Sequence, residues 1–187
     1  VYDLNSLVEM PEEDWARIFG VNLSGPYRMN RAFVPLLEQG GRVVLVSSEL
    51  APLDPLPFTG IYGITKAALE KYAFSLRMEL QLLGIGVSVI RPGAVNTQLL
   101  DVSMQRLNDF HAHTRLYACT AARFRRIVER VESRKVMPEA IARTVLKALQ
   151  ARRPRYVYNI NRNPLLLLLN ALPDRLQTAI IRMVLKP

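Results

Sequence analysis

The sequence predicts an α/β domain built on a parallel sheet, and three observations carry that expectation. Gly41-Arg42-Val43-Val44-Leu45-Val46-Ser47-Ser48 reads as a glycine start, a buried β-branched strand and a polar stop. Gly86-Val87-Ser88-Val89-Ile90-Arg91-Pro92-Gly93 is a second such run, ending in Pro-Gly. Continuous apolar strands of this kind suit sheets covered on both faces. Between the two lies a long helical pattern, so strand and helix alternate. With 187 residues, half of them hydrophobic, the chain suffices for one domain with a sizeable core and does not have the composition of a disordered chain.

Taken in order, residues 8–20 open a helix. Pro11 suits its first position, and Glu12, Glu13 and Asp14 favour the positive end of its dipole. Trp15, Ile18 and Phe19 begin an apolar pattern that continues to Leu37, with a bend expected near Gly25-Pro26. Gly40-Gly41 ends the helix and starts a strand over 42–47. Pro52, Pro55 and Pro57 make the next loop a rigid turn. A helix follows from about Ile61 to Leu83, stopped by Gly84. Next come a strand over 86–90, a turn over 92–97 and a segment 98–137 rich in bulky groups. Pro138-Glu139 opens a further helix to about Ala151, and Arg155 to Asn159 forms the last strand. Pro164 then leads into five leucines, and Leu172-Pro173-Asp174 separates these from Leu176, Ala179, Ile180, Met183 and Val184, giving two short amphipathic helices.

The chemistry concentrates in Gly60-Ile61-Tyr62-Gly63-Ile64-Thr65-Lys66. On a helix, Tyr62 and Lys66 share a face one turn apart, with Cβ atoms roughly 5–6 Å from each other. A phenol titrates near ~10 and is a poor proton donor or acceptor at neutral pH. A neighbouring ammonium favours the phenolate and moves it toward the range of general acid–base catalysis. A shift of about three units takes roughly 4 kcal/mol, whereas an exposed pair supplies less than ~1 kcal/mol. Tyr62 therefore needs a partly buried site and further positive charge or hydrogen bonds.

Asn22, the Ser47-Ser48 pair, Tyr62-x-x-x-Lys66 and Arg91-Pro92-Gly93, in this order, resemble the catalytic portion of a short-chain dehydrogenase/reductase, from Val1 to about Arg155. The resemblance implies a Rossmann-type, doubly wound parallel sheet. It implies Tyr62 as the proton donor or acceptor, Lys66 as the group that lowers its pKa and holds the nicotinamide ribose, and Ser48 (or Ser47) as the group that orients a substrate carbonyl. Asn22 would anchor a proton relay through its backbone carbonyl. Pro92, Gly93, Val95 and Thr97 would contact the nicotinamide end of NAD or NADP. Ligands of open parallel sheets lie beyond the carboxyl ends of the strands, where Ser48 and Thr97 fall. Two departures stand out: fourteen residues separate Ser48 from Tyr62, and Glu49-Leu50-Ala51 lacks the glycine that often follows the serine.

The family's Gly-rich strand–turn–helix, which seats a pyrophosphate on a helix N-terminus, has no counterpart in this sequence. The N-terminal nucleotide-binding half is therefore expected to be missing, and the chain alone inactive, whether as a fragment, as part of a longer protein, or as a natural product that lost that half. Residues 1–160 are expected to form the catalytic portion, with 98–137 as a substrate-binding insertion, and 161–187 a C-terminal helical extension. Leu99, Leu100, Met104, Leu107, Phe110, Leu116, Tyr117 and Phe124 favour an apolar lipid, retinoid or steroid-like substrate, or simply pack.

The expected reaction is NAD(P)-dependent interconversion of an alcohol and a ketone or aldehyde. The alternative is a non-catalytic fragment acting through dimerisation or membrane contact. The helices before the first strand and over 61–83 suit a homodimer or homotetramer. Residues 115–187 carry 16 basic and 4 acidic side chains, against 9 and 12 in residues 1–114. Arg123, Arg125, Arg126, Arg130 and Arg134 are interleaved with apolar residues, which fits a solvated helix face or contact with membrane phosphates. No nucleic-acid motif accompanies them. The leucine run is too short to span a bilayer, so 164–187 is expected to lie on a membrane surface or to cap the pocket or an interface. His111 and His113 have no carboxylate or cysteine at ligand spacing, and no metal is expected. The single cysteine, Cys119, suits a reducing, cytoplasmic setting.

Overall fold

A computed structural model describes residues 1–131 and 135–186, without the side chains of residues 99–101 and 131. The side chains of Leu99 and Leu100, and Arg134 altogether, thus lie outside the described residues. Helix α1 (Glu12–Phe19) starts behind Pro11 with its three acidic residues in the first turn. It passes through a π-turn, Gly20–Ser24, into α2 (Gly25–Phe33) and a short 3-10 turn, Val34–Leu36. The distortion comes a turn earlier than the expected bend. Pro26 has no N–H to offer the carbonyl of Asn22, four residues back, and its ring crowds that carbonyl. The helix widens over Gly20–Ser24 instead of breaking.

Strands β1 (Arg42–Val46) and β2 (Gly86–Pro92) pair in parallel, Arg42 opposite Gly86 and Val46 opposite Ile90. Strand β3 (Val157–Ile160) joins the other side of β2, also parallel, Val89 opposite Val157. Among the described residues the sheet order is β1-β2-β3, so β2 is central. β3 begins two residues later than expected because Arg155 is otherwise engaged: its N–H donates to the Tyr158 hydroxyl at 3.0 Å, and its carbonyl accepts from Ser88 at 2.8 Å.

Helix α3 (Gly60–Leu80) crosses between β1 and β2 and ends in a 3-10 turn closed by Gly84, whose φ of 71° suits a residue without Cβ. Ala73 and Leu80 of α3 pack with Val43, Leu45, Val87 and Val89 of the strands in one core. The remaining helices are α4 (Gln98–His113), α5 (Ala118–Val131), α6 (Pro138–Gln150), α7 (Pro164–Asn170) and α8 (Asp174–Leu185). α6 lies over all three strands.

A second core unites the N-terminal segment, the loop before α3, and helices α4, α5 and α8 through Leu4, Phe58, Leu107, Phe110, Phe124 and Leu185. Leu107, Phe110 and Phe124, expected either to line a substrate pocket or to pack, are buried in this core. Leu185 lies in the same core, so the C-terminal helices are built into the domain.

Candidate active site

β1 delivers the first group. Its pairing with β2 outlasts the strand: Ser47 N–H donates to the Ile90 carbonyl at 2.8 Å and Glu49 N–H to the Pro92 carbonyl at 2.9 Å. This rigid ladder presents the two serines at the carboxyl end of the sheet. Ser48 faces the Tyr62 phenol, and its Oγ accepts the Leu50 N–H at 3.2 Å. Ser47 Oγ is buried without a protein partner.

α3 delivers the second and third groups. Tyr62 lies in its first turn, nearly enclosed, with the Tyr2 ring edge-on at 4.6 Å. Burial raises the phenol above its ordinary value; the Ser48 hydroxyl works the other way, and the Glu49 carboxylate adds to the rise. Lys66 follows one turn later, half-buried, with Nζ 5.6 Å from the Tyr62 ring centre and donating to the Val46 carbonyl at 3.2 Å. Desolvation lowers its pKa to about 8, partly offset by Glu70. The expected pull of the ammonium is not among the causes that set the phenol's direction; burial leads, and Tyr62 moves up rather than down.

Asn22 stands behind this pair in the π-turn. Its side chain is consumed in structure: Oδ1 accepts from the Val1 nitrogen at 2.7 Å, and Nδ2 donates to the Val1 carbonyl at 2.8 Å and to Thr65 Oγ1 at 3.1 Å. Thr65 in turn donates to the Tyr62 carbonyl at 2.9 Å. Asn22 therefore fixes the first turn of α3 through Thr65, and its carbonyl is the one that Pro26 deprives of an α-helical donor.

Pro92, Gly93, Val95 and Thr97 follow β2 at the same end of the sheet. Gly93 N–H donates to Ile160 O at 2.8 Å, and a Cβ on Gly93 would lie 2.1 Å from the Asn161 carbonyl oxygen. The turn is pinned by Val136, whose N–H donates to Ala94 O while its carbonyl accepts from Asn96 N–H. Thr97 is the N-cap of α4 and makes no side-chain capping bond. Arg91 forms a two-point ion pair with Glu70, Nε to Oε1 at 2.8 Å and Nη2 to Oε2, tying β2 to α3 one turn beyond Lys66.

Sequence reasoning passed over Tyr2, Glu49, Thr65 and Glu70. Of these, Glu70 had a visible signal, being one turn past Lys66 on the same helix. The donor set fits the nicotinamide–ribose end of a dinucleotide: a half-buried ammonium beside a phenol, a helix-cap hydroxyl not spent on its cap, and a glycine turn at the carboxyl end of a parallel strand.

The comparisons with known proteins agree with this geometry. The family model described as short chain dehydrogenase matches residues 2–108. Human retinol dehydrogenase 5 is 30% identical over 94% of this chain and 59% of its own length. Human 17-beta-hydroxysteroid dehydrogenase type 1 is 30% identical over 83% of this chain and 48% of its own length. The chain thus spans about half the length of these curated relatives. A short chain dehydrogenase/reductase from Burkholderia phymatum, solved in complex with NAD, superimposes with a TM-score of 0.66 at 26% identity, covering 84% of this chain and 57% of that one. The matched region contains Asn22, Ser48, Tyr62, Lys66 and the turn after β2, and the chain belongs to the short-chain dehydrogenase/reductase family.

Proposed function

We propose that the protein containing this chain is an NAD(P)-dependent oxidoreductase that interconverts an alcohol and a ketone or aldehyde. The observation that carries the reading is the convergence of Ser48, Tyr62 and Lys66 at the carboxyl end of a parallel sheet. NAD or NADP supplies the hydride acceptor or donor and, when oxidised, a positive charge beside the phenol. Tyr62 exchanges the hydroxyl proton with substrate, and Ser48 Oγ orients the substrate oxygen toward it. Lys66 releases the Val46 carbonyl to hold ribose hydroxyls and adds its charge to the stabilisation of the phenolate. Asn22 holds the first turn of α3 and offers its carbonyl to a proton path from Lys66. The backbone at Val95 and the Thr97 hydroxyl, with Pro92 and Gly93 shaping the turn, hold the nicotinamide amide.

An apolar substrate of lipid, retinoid or steroid type is supported by the similarity to the two human relatives, a retinol dehydrogenase and a 17-beta-hydroxysteroid dehydrogenase. A homodimer or homotetramer is supported by the exposed apolar side chains of α2 and α3, including Met29, Phe33, Phe74 and Met78. Peripheral membrane contact through 164–187 is supported by the exposed Leu165, Leu168 and Met183. The rival reading, a non-catalytic fragment acting through dimerisation or membrane contact, draws on the same surfaces and on a β1 that has one strand partner among the described residues.

The deciding experiment is turnover of the full-length protein on retinoid, steroid and simple ketone panels with each cofactor. Tyr62→Phe is expected to lower kcat about 10²–10⁴-fold, the range of a general acid. Wild-type turnover by that variant would overturn the mechanism.

A further inference from the structure

α5 and α8 lie side by side. Leu185 is buried among Ala121, Phe124 and Val128, and the Arg123 guanidinium donates to the Lys186 carbonyl. Packing those inner faces brings the outer faces together on the surface. From α5 come Arg126 and Arg130, flanking Ile127; from α8 and its C-cap come Arg182 and Lys186, with Met183 and Val184. Met183 is 75% exposed and Val184 46%. Two shallow depressions, of about 370 and 560 Å³, lie on this surface, the first lined by Arg126, Ile127, Arg130 and Val184 and the second by Arg182, Met183 and Lys186; among the described residues no carboxylate lines either one. Of the acidic residues on these two helices, Glu129 is held by Arg125, and Asp174 sits in the first turn of α8.

A face that serves only solubility has no need of bulky apolar groups at its centre. A nucleic-acid groove would interleave its cations with aromatic stacking platforms, and none lines this face. A bilayer rich in anionic lipid matches both features, because phosphates meet the guanidiniums while the headgroup–acyl boundary takes Met183 and Val184. We propose that the α5–α8 face docks on an anionic phospholipid membrane. This deepens, and rests on, the peripheral contact proposed above. It moves the contact from the leucine run of α7 to a composite cationic surface that includes α5.

The test is sedimentation of the full-length protein with phosphatidylcholine vesicles containing roughly one third phosphatidylserine, and with phosphatidylcholine alone. The protein is expected to pellet with the former only, and less as salt rises. Near an anionic surface each unit of charge changes affinity about fivefold, so Arg126→Glu with Arg182→Glu lowers binding a hundredfold or more. The pair Arg126→Lys with Arg182→Lys retains it, and Met183→Asp weakens it about tenfold. Circular dichroism and thermal unfolding identify any variant that has lost its fold, and turnover on a water-soluble substrate stays at wild-type level in the folded ones. Undiminished binding by a folded Glu pair overturns the proposal. If Leu165→Asn with Leu168→Asn abolishes binding instead, the membrane contact stands but belongs to α7. Absence of binding to either vesicle overturns both readings. Tighter binding to single-stranded DNA than to the anionic vesicles at equal salt overturns the lipid assignment.

Discussion

At the scale of single residues, burial and hydrogen bonding set the site's proton chemistry. Tyr62 is enclosed and pushed upward, and Lys66 is pushed down to about 8 from an unfolded value of 10.5. Between those two lysine values the unfolded chain binds more protons than the folded one, so stability rises with pH. Above 10.0 the unfolded tyrosine loses its proton before the folded one does, so its contribution opposes the lysine's and, above 10.5, lowers stability as pH rises. Denaturant unfolding at steps between pH 8 and pH 10 is expected to show the rise, and Lys66→Met to flatten it; an unchanged slope in that variant would place the titrating group elsewhere. Gly93 makes a separate, steric prediction. An added Cβ would sit 2.1 Å from the Asn161 carbonyl oxygen and 2.8 Å from Glu49 Oε1, so backbone must shift. Gly93→Ala is expected to cost about 1–3 kcal/mol, measurable as a lowered denaturation midpoint without a change of slope.

At the scale of elements, the loop before α3 joins that helix to α4 and α5. Phe58 holds a left-handed φ of 63° two residues before Gly60, and its ring meets Phe110 at 4.9 Å, Tyr117 at 5.1 Å and Phe124 at 5.2 Å. The left-handed backbone costs roughly 1–2 kcal/mol in a residue with a Cβ, and three aromatic contacts more than offset it. Phe58→Ala is expected to cost about 3–5 kcal/mol. Phe58→Gly, which loses the same ring but relaxes the backbone, is expected to be about 1 kcal/mol more stable than the Ala variant. Equal stabilities in chemical denaturation would refute the strain argument.

This element also marks the limit of what the sequence could reveal. Tyr62 and Lys66 were legible because helix periodicity puts residues four apart on one face, and β1 and β2 because buried parallel strands are written in β-branched runs. The left-handed Phe58, the π-turn and the Glu70–Arg91 pair were not legible. The first depends on Phe110 and Phe124 and the third on groups 21 residues apart, all brought together by the fold, while Pro26 announced a distortion without distinguishing a widened turn from a bend. Bulky groups over 98–137 were equally ambiguous, because pocket and core draw on the same side chains.

At the scale of the whole molecule, one edge of the sheet stands out. Among the described residues β1 pairs only with β2, and Val46 at its end is 47% exposed, an apolar residue on an edge that could accept a further strand. On the proposed reading, the nicotinamide end of a dinucleotide would find partners in Lys66, Tyr62 and Thr97, whereas the pyrophosphate cradle of such folds is a glycine-rich turn leading into a helix N-terminus. Affinity for the whole cofactor depends on both ends being held by one rigid sheet. This 187-residue chain alone is therefore expected to bind NADH and NADPH no more tightly than about 1 mM, roughly 4 kcal/mol. A longer protein carrying a Gly-x-x-x-Gly-x-Gly strand–turn–helix beside β1 is expected to bind one of them at micromolar levels. Titration followed by cofactor fluorescence compares the two directly. Micromolar binding by the isolated chain would mean that the Ser48–Tyr62–Lys66 end holds the dinucleotide by itself, and the argument for a completing half beside β1 would fail.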